Sequence, residues 1–125
     1  MSGLTFDTGG LVALDRGERP VLALLARVAE RGLRVTVPAT ALAQALRNPA
    51  RQVRLTRLIR QPSTDLVALD GPGATATGLL LAESKTDDIV DAHVVVCARR
   101  VGQVIVTSDP DDLKRLDPNL RLLRV

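Results

Sequence analysis

The sequence predicts an α/β protein with a central parallel sheet and helices on both faces. Short β-rich segments alternate with helical stripes along the whole chain. That repeated order favours parallel strands joined by helical crossovers. The length, 125 residues, suits one domain (residues 1–125) with a real core rather than two. Several segments also stop on a proline or an aspartate, which break or cap regular structure.

Gly3 to Phe6 reads as a short strand ending at Asp7. Thr8 through Leu14 then starts a helix, with Gly9 and Gly10 weakening its first turn. From Arg19 to Arg31, residues Val21, Leu22, Leu24, Leu25, Val28 and Ala29 form a helical stripe, closed by Gly32. Leu33 to Val37 is β-rich and Pro38 ends it. Thr40 or Ala39 opens the next helix, which runs to about Arg47 before Asn48-Pro49 breaks it. Ala50 to Ile59 is again helical in its spacing of Val53, Leu55, Leu58 and Ile59.

Asp65 to Leu69 is strand-like and is followed by a turn at Asp70-Gly71-Pro72-Gly73. Ala74 to Ser84 predicts a helix despite Gly78. Asp87 to Val101 predicts a strong one, with acids in its first turn and Arg99 and Arg100 in its last. Gly102 caps it, Gln103 to Thr107 is a buried strand, Asp109 to Leu116 a short helix, and Asn119 to Val125 a last strand.

Composition narrows the function. No apolar run approaches the roughly 20 residues that a membrane span needs. No signal-type stretch stands at the start, and the single cysteine, Cys97, excludes an internal disulfide. A cytoplasmic location without membrane attachment is the expectation. Net charge is +3, and all but two of the 17 basic residues are arginine. Phe6 is the only aromatic residue, which excludes modules that stack bases on rings. Contact with nucleic acid would run through arginines, backbone groups and a metal. The Gly71-Pro72-Gly73 segment lacks the lysine and Ser/Thr of a phosphate-binding loop.

Aspartates carry the chemistry. Asp7 and Asp109 each follow a predicted strand, and parallel sheets bind ligands at their carboxyl ends. Asp88 and Asp91 are three apart at a helix start, so both can lie on one face. Carboxylates gathered this way raise one another's pKa unless a hard divalent cation, usually Mg²⁺, sits among them. Each has a plainer reading. Asp88 and Asp109 suit helix caps, and Asp111 and Asp112 suit solvated first-turn acids. Asp7 resists this, because an acid ending an apolar strand gains little structurally.

At these residues the sequence resembles the PIN domains, and among them the VapC-type toxin ribonucleases. The matching stretches are Leu4-Thr5-Phe6-Asp7-Thr8, Val37-Pro38-Ala39, Asp88-Ile89-Val90-Asp91-Ala92-His93 and Thr107-Ser108-Asp109-Pro110-Asp111-Asp112-Leu113. The resemblance covers essentially the whole chain. It implies a three-layer α/β/α PIN-like fold around a parallel sheet. It also implies a Mg²⁺- or Mn²⁺-dependent endoribonuclease, a homodimer, and an antitoxin protein that holds it inactive. By position, Asp7, Asp91 and Asp109 match the family's catalytic, metal-binding acids, with Asp88 a fourth ligand. Asp111 is auxiliary, and Thr107 and Ser108 match the polar residues that orient water or phosphate. Two positions depart from the pattern. Gln44 stands where a glutamate is usual, which removes a negative charge, and Gly9 stands where serine is common.

Arg47, Arg51, Arg54, Arg57 and Arg60 form an acid-free run. It reads as an RNA-contacting ridge, with Arg47 and Arg51 nearest the pocket, or as a solvated helix face. The resemblance implies that the antitoxin engages this region, so an acidic or aromatic antitoxin segment would suit the same ridge. His93, two residues beyond Asp91, points away from it and reads as structural, and Cys97 as core.

Overall fold

The computed structural model describes residues 2–125. Its elements, in chain order, are β1 (Gly3–Phe6), α1 (Thr8–Asp15), α2 (Arg19–Glu30), β2 (Arg34–Pro38), α3 (Ala39–Ala45) and α4 (Val53–Arg60). They continue with β3 (Thr64–Val67), α5 (Gly71–Ser84), α6 (Ile89–Val101), β4 (Val104–Thr107), α7 (Pro110–Leu116) and β5 (Leu122–Arg124). All five strands pair in parallel, in the order β3-β2-β1-β4-β5.

This order has one reversal. From β1 the chain steps outward to β2 and β3. It then crosses back through α5 and α6 to β4 on the other side of β1, and steps outward again to β5. Right-handed crossovers put α1 to α4 on one face and α5 to α7 on the other. The packing agrees: α6 lies on β1, β2 and β4, with α5 and α7 against it, while α2 and α4 cover β2 and β3. The result is the three-layer α/β/α arrangement.

Position in the sheet explains composition. β1 is central and buried along its length, and so reads as a continuous run rather than an alternation. β3 and β5 are edges and half-exposed, and Arg34 on β2 clamps Asp65 on β3 with two bonds of 2.8 Å. Helix α6 is buried over seven consecutive residues, Ala92 to Ala98, because it sits between the sheet and other helices. Cys97 is part of that buried run, in the core.

One expected turn is corrected. Asp70 to Gly73 is the first turn of α5, not a free turn. The Asp70 carboxylate accepts from the Gly73 amide at 2.8 Å, and proline in the first turn suits the start of a helix.

His93 is a cross-link between layers. It is 1% exposed, its Nδ1 lies 2.6 Å from the Thr40 hydroxyl of α3, and it also bonds the Ala68 carbonyl beyond β3. Burial lowers its pKa, so the ring is neutral and donates to Ala68 while Thr40 donates to it. Thr40→Val would leave a buried acceptor unpaired. Loss of about 1–3 kcal/mol of stability is expected in a denaturant titration. An unchanged midpoint would mean that the bond contributes nothing.

Candidate active site at the carboxyl end of the sheet

The reversal falls between β1 and β4, which pair directly, Phe6 opposite Val106. The crevice beyond their carboxyl ends is where open α/β sheets bind ligands. Asp7 leaves β1 there and Asp109 follows β4. Helix α6 begins at the same end, with Asp88 as its N-cap and Asp91 in its first turn. Three segments distant in sequence thus bring carboxylates to one place.

Asp7 is 5% exposed, and its Oδ1 accepts from the Gly10 amide at 2.7 Å. It is the N-cap of α1, which corrects the expectation that this acid gains little structurally. Burial nonetheless raises its pKa above the ordinary aspartate range, and nearby Asp109 adds to the rise. The Thr107 hydroxyl and the Gly10 amide pull the other way without cancelling it.

Asp91 is further perturbed. Burial first, then the charges of Asp88, Asp7, Asp112 and Asp109, push its carboxyl up to about 6. Five aspartates therefore share one electrostatic environment. They do not form a ready-made cage: among the described residues, no three acids or histidines close on a common point. Backbone amides explain part of the spread. Asp7 is held by Gly10, and Asp88 accepts from the Asp91 amide at 3.0 Å.

Asp109 occupies the N-cap position of α7, but its side chain makes no capping bond. Its amide donates instead to the Thr107 hydroxyl at 2.9 Å. One turn on, the exposed Asp112 has a raised pKa because it shares a hydrogen bond with Asp109 and feels its charge. The residue expected to assist was Asp111. It is exposed with no bond to the group, whereas Asp112 faces the acids. The i, i+3 spacing of Asp109 and Asp112 was the available signal.

A cleft of about 350 Å³ opens between the start of α6 and α7. Asp87, Asp88, Asp91 and Asp112 line it, together with Lys85 and Arg115. Sequence reasoning had not singled out either cation.

The supporting residues divide. Thr107 is fully buried behind Asp7 and Asp109. Ser108 is exposed on the β4–α7 loop and rests on the first turn of α1. A Cβ added at Gly9 would lie 2.0 Å from the Ser108 Oγ, so glycine at position 9 is what admits this hydroxyl. Gln44 is exposed near the end of α3, and its Oε1 accepts from the Thr8 hydroxyl at 2.7 Å. Arg47 caps the end of the same helix: its Nη1 donates to the carbonyls of Ala43 and Leu46 at 2.7 and 2.8 Å. Arg51 is exposed, with no side-chain bond to a described residue.

No family model and no curated protein sequence matches the chain. Solved structures do. VapBC2 from Rickettsia felis, solved bound to a DNA fragment from their promoter, superposes with a TM-score of 0.70 at 16% identity, covering 97% of each chain. FitAcB from Neisseria gonorrhoeae gives 0.67 at 16%, covering 97% of this chain and 96% of its own. Mycobacterium tuberculosis VapC20, a toxin that cleaves the sarcin-ricin loop, gives 0.69 at 14%, covering 98% of this chain and 100% of its own. At such identities the likeness establishes the fold, and it is the PIN-like fold that the residue pattern implied.

The raised Asp91 pKa sets a pH dependence for the metal-free protein. In the unfolded chain this carboxyl ionises near 3.9. In the folded chain it keeps its proton to about 6. Between those values the folded state binds more protons, so stability falls as pH rises through the window. Asp91→Asn removes the strain. In chelator, its melting temperature should exceed the parent's at neutral pH, and the difference should vanish near pH 4. Equal melting at neutral pH would show that the Asp91 charge carries no penalty.

Proposed function

We propose that this chain is a metal-dependent endoribonuclease, the toxin of a VapBC-type toxin–antitoxin pair. The observation that carries this is the convergence at the β1/β4 reversal. Asp7, Asp88 and Asp109 come near enough there to raise the Asp91 pKa, without closing on one point. Uncompensated, that arrangement is unfavourable, which makes it a fit for a hard divalent cation. The fold shared with the VapC20 toxin supports the same reading.

Asp7, Asp91 and Asp109 would hold Mg²⁺, or Mn²⁺ in its place, with Asp88 and the nearby Asp112 completing an acidic rim. The ion would supply Lewis acidity for water and charge for the phosphodiester of an RNA strand. The protein's own part is positioning. Thr107 fixes the Asp109 backbone and faces Asp7, and Ser108 seats the loop on α1. Asp111 lies one residue before Asp112, at the margin of the site.

The antitoxin partner has a surface to occupy. A groove of about 380 Å³ between α1, α2 and α4 has Leu14, Leu25, Val28 and Leu58 on its walls, with Arg54 and Arg57 at its edge. Neither arginine has an acid partner among the described residues, so an apolar segment carrying acids would suit it. A homodimer is part of the proposal. Leu79 of α5 and Ile89 and Val101 of α6 are among the large apolar side chains left for it to cover. No helix is long and apolar enough to cross a membrane.

A second reading rests on Gln44. Its side chain is neutral and its oxygen is engaged by Thr8, so the acidic set is short by a charge where glutamate is usual. A weakened protein that binds RNA or antitoxin without cleaving would follow.

One experiment covers both readings. Asparagine can keep the capping bond of Asp7, and the Asp109 side chain makes none, so Asp7→Asn and Asp109→Asn test charge rather than folding. Each should lower Mg²⁺-dependent cleavage of RNA by at least about a hundredfold, the scale of losing a positioned catalytic group. Full cleavage by either variant would overturn the ribonuclease reading. Gln44→Glu should raise cleavage; activity appearing only in that variant would favour the weakened binding protein.

A further inference from the structure

We propose that Lys85 and Arg115, which both line the acidic cleft, form a phosphate-binding subsite that takes an RNA phosphate beside the scissile one. The proposal rests on the ribonuclease reading above.

Backbone conformation gives the first reason. Turns that need a left-handed residue elsewhere in the chain use glycine: Gly17 after α1, Gly32 after α2 and Gly102 after α6, with φ of 67°, 64° and 64°. Among the described residues, α5 alone ends on a left-handed residue that is not glycine. Lys85 is left-handed at φ 56°, the one non-glycine residue with positive φ among those described. An L-residue in that region costs about 1–2 kcal/mol that glycine would not. No ion pair of Lys85 offsets this. What the residue adds is a cationic side chain among those lining the cleft that Asp88 and Asp91 also line.

Charge balance gives the second reason. The cleft holds four carboxylates against two cations. It would repel a polyanion unless fixed positive charge met the strand on one wall. Arg54 and Arg57, from the acid-free run, line a different groove on the α2–α4 side of the sheet. Lys85 and Arg115 are the cations that line this one. Arg115 is poised rather than committed. Its bond to Asp112 is 3.5 Å long and its side chain is 72% exposed, a geometry that contributes little by itself. Lysine and arginine are the two residue types that hold phosphate, and this cleft is lined by one of each.

The test is binding of a mixed-sequence single-stranded RNA oligonucleotide to the full chain in Ca²⁺, across a salt series, with cleavage in Mg²⁺ in parallel. Lys85→Gly suits the left-handed backbone, so its melting temperature should equal or exceed the parent's. Despite that, RNA should bind several-fold more weakly. The slope of log affinity against log salt should fall by about 0.7, the release from one single-stranded phosphate contact. Arg115→Gln should do the same, and Lys85→Arg should keep the slope. In cleavage the loss should appear in KM and leave kcat near the parent's. Arg27→Gln, on α2, should change none of these. If the parent binds and cleaves RNA while Lys85→Gly matches it in affinity and slope, the subsite is wrong and the ribonuclease stands. If the parent neither binds nor cleaves RNA, both readings fall together.

Discussion

The site depends on one packing constraint, the direct pairing of β1 with β4. Because β4 arrives only after the chain has crossed back over the sheet, its end lies beside Asp7 rather than at an edge. The fit is close. The first turn of α1 sits so tightly on the β4–α7 loop that a Cβ at Gly9 would collide with Ser108, and one at Gly10 would lie 2.5 Å from the Val106 carbonyl. The two glycines that weaken α1 as an isolated helix are therefore what let it dock. The helix gains from tertiary packing what it lacks in propensity.

That docking imposes an electrostatic conflict. Asp7 and Asp88 are N-caps, and capping holds a carboxylate where a helix starts. Two helices starting at one end of the sheet bring their caps toward each other, and Asp91 sits among them. Helix amides stabilise negative charge, but the pKa of Asp91 is still pushed up to about 6, so repulsion and burial outweigh them. The fold thus keeps an unfavourable charge arrangement at the sheet's switch point. Local conflict of that kind, in an otherwise consistent structure, is the feature on which the proposed site rests.

Strand ends and helix stripes were readable because the chain punctuates them plainly: Pro38, Gly32, Gly102 and the aspartates sit at boundaries the structure keeps. Asp7, Asp88 and Asp109 stand at such boundaries, and Asp91 lies in the first turn that Asp88 caps, so the proposed acids share the same punctuation. What was not readable depends on side-chain direction. Asp111 and Asp112 look alike in sequence, yet only Asp112 is three residues from Asp109 and turned toward it. Arg47 looked like a substrate contact, but it bends back onto the end of α3, whose carbonyls need donors. Asp70 to Gly73 looked like a turn because Asp-Gly-Pro-Gly also begins helices, and only the length of α5 decides between them.

Gln44 shows how far the acidic set can depart from its expected form. In the structure its amide oxygen takes the Thr8 hydroxyl, so α3 is tied to the first residue of α1 through a neutral bond. A glutamate could accept the same bond and would add a charge to a group in which Asp91 already resists ionisation. Glutamine keeps the link between the helices and removes one more source of repulsion. The same choice weakens the pull on a cation. Under the proposed function, stability of the metal-free fold and affinity for a metal would be opposed at this position, and the chain has the residue that favours the fold. Lys85 tilts the other way. Glycine would relieve its backbone, and the chain keeps instead a cation that lines the same cleft as the acids. Gln44 leaves the α1–α3 side one charge short of the expected acidic set, while Lys85 and Arg115 only partly offset the four carboxylates that line the cleft between α6 and α7.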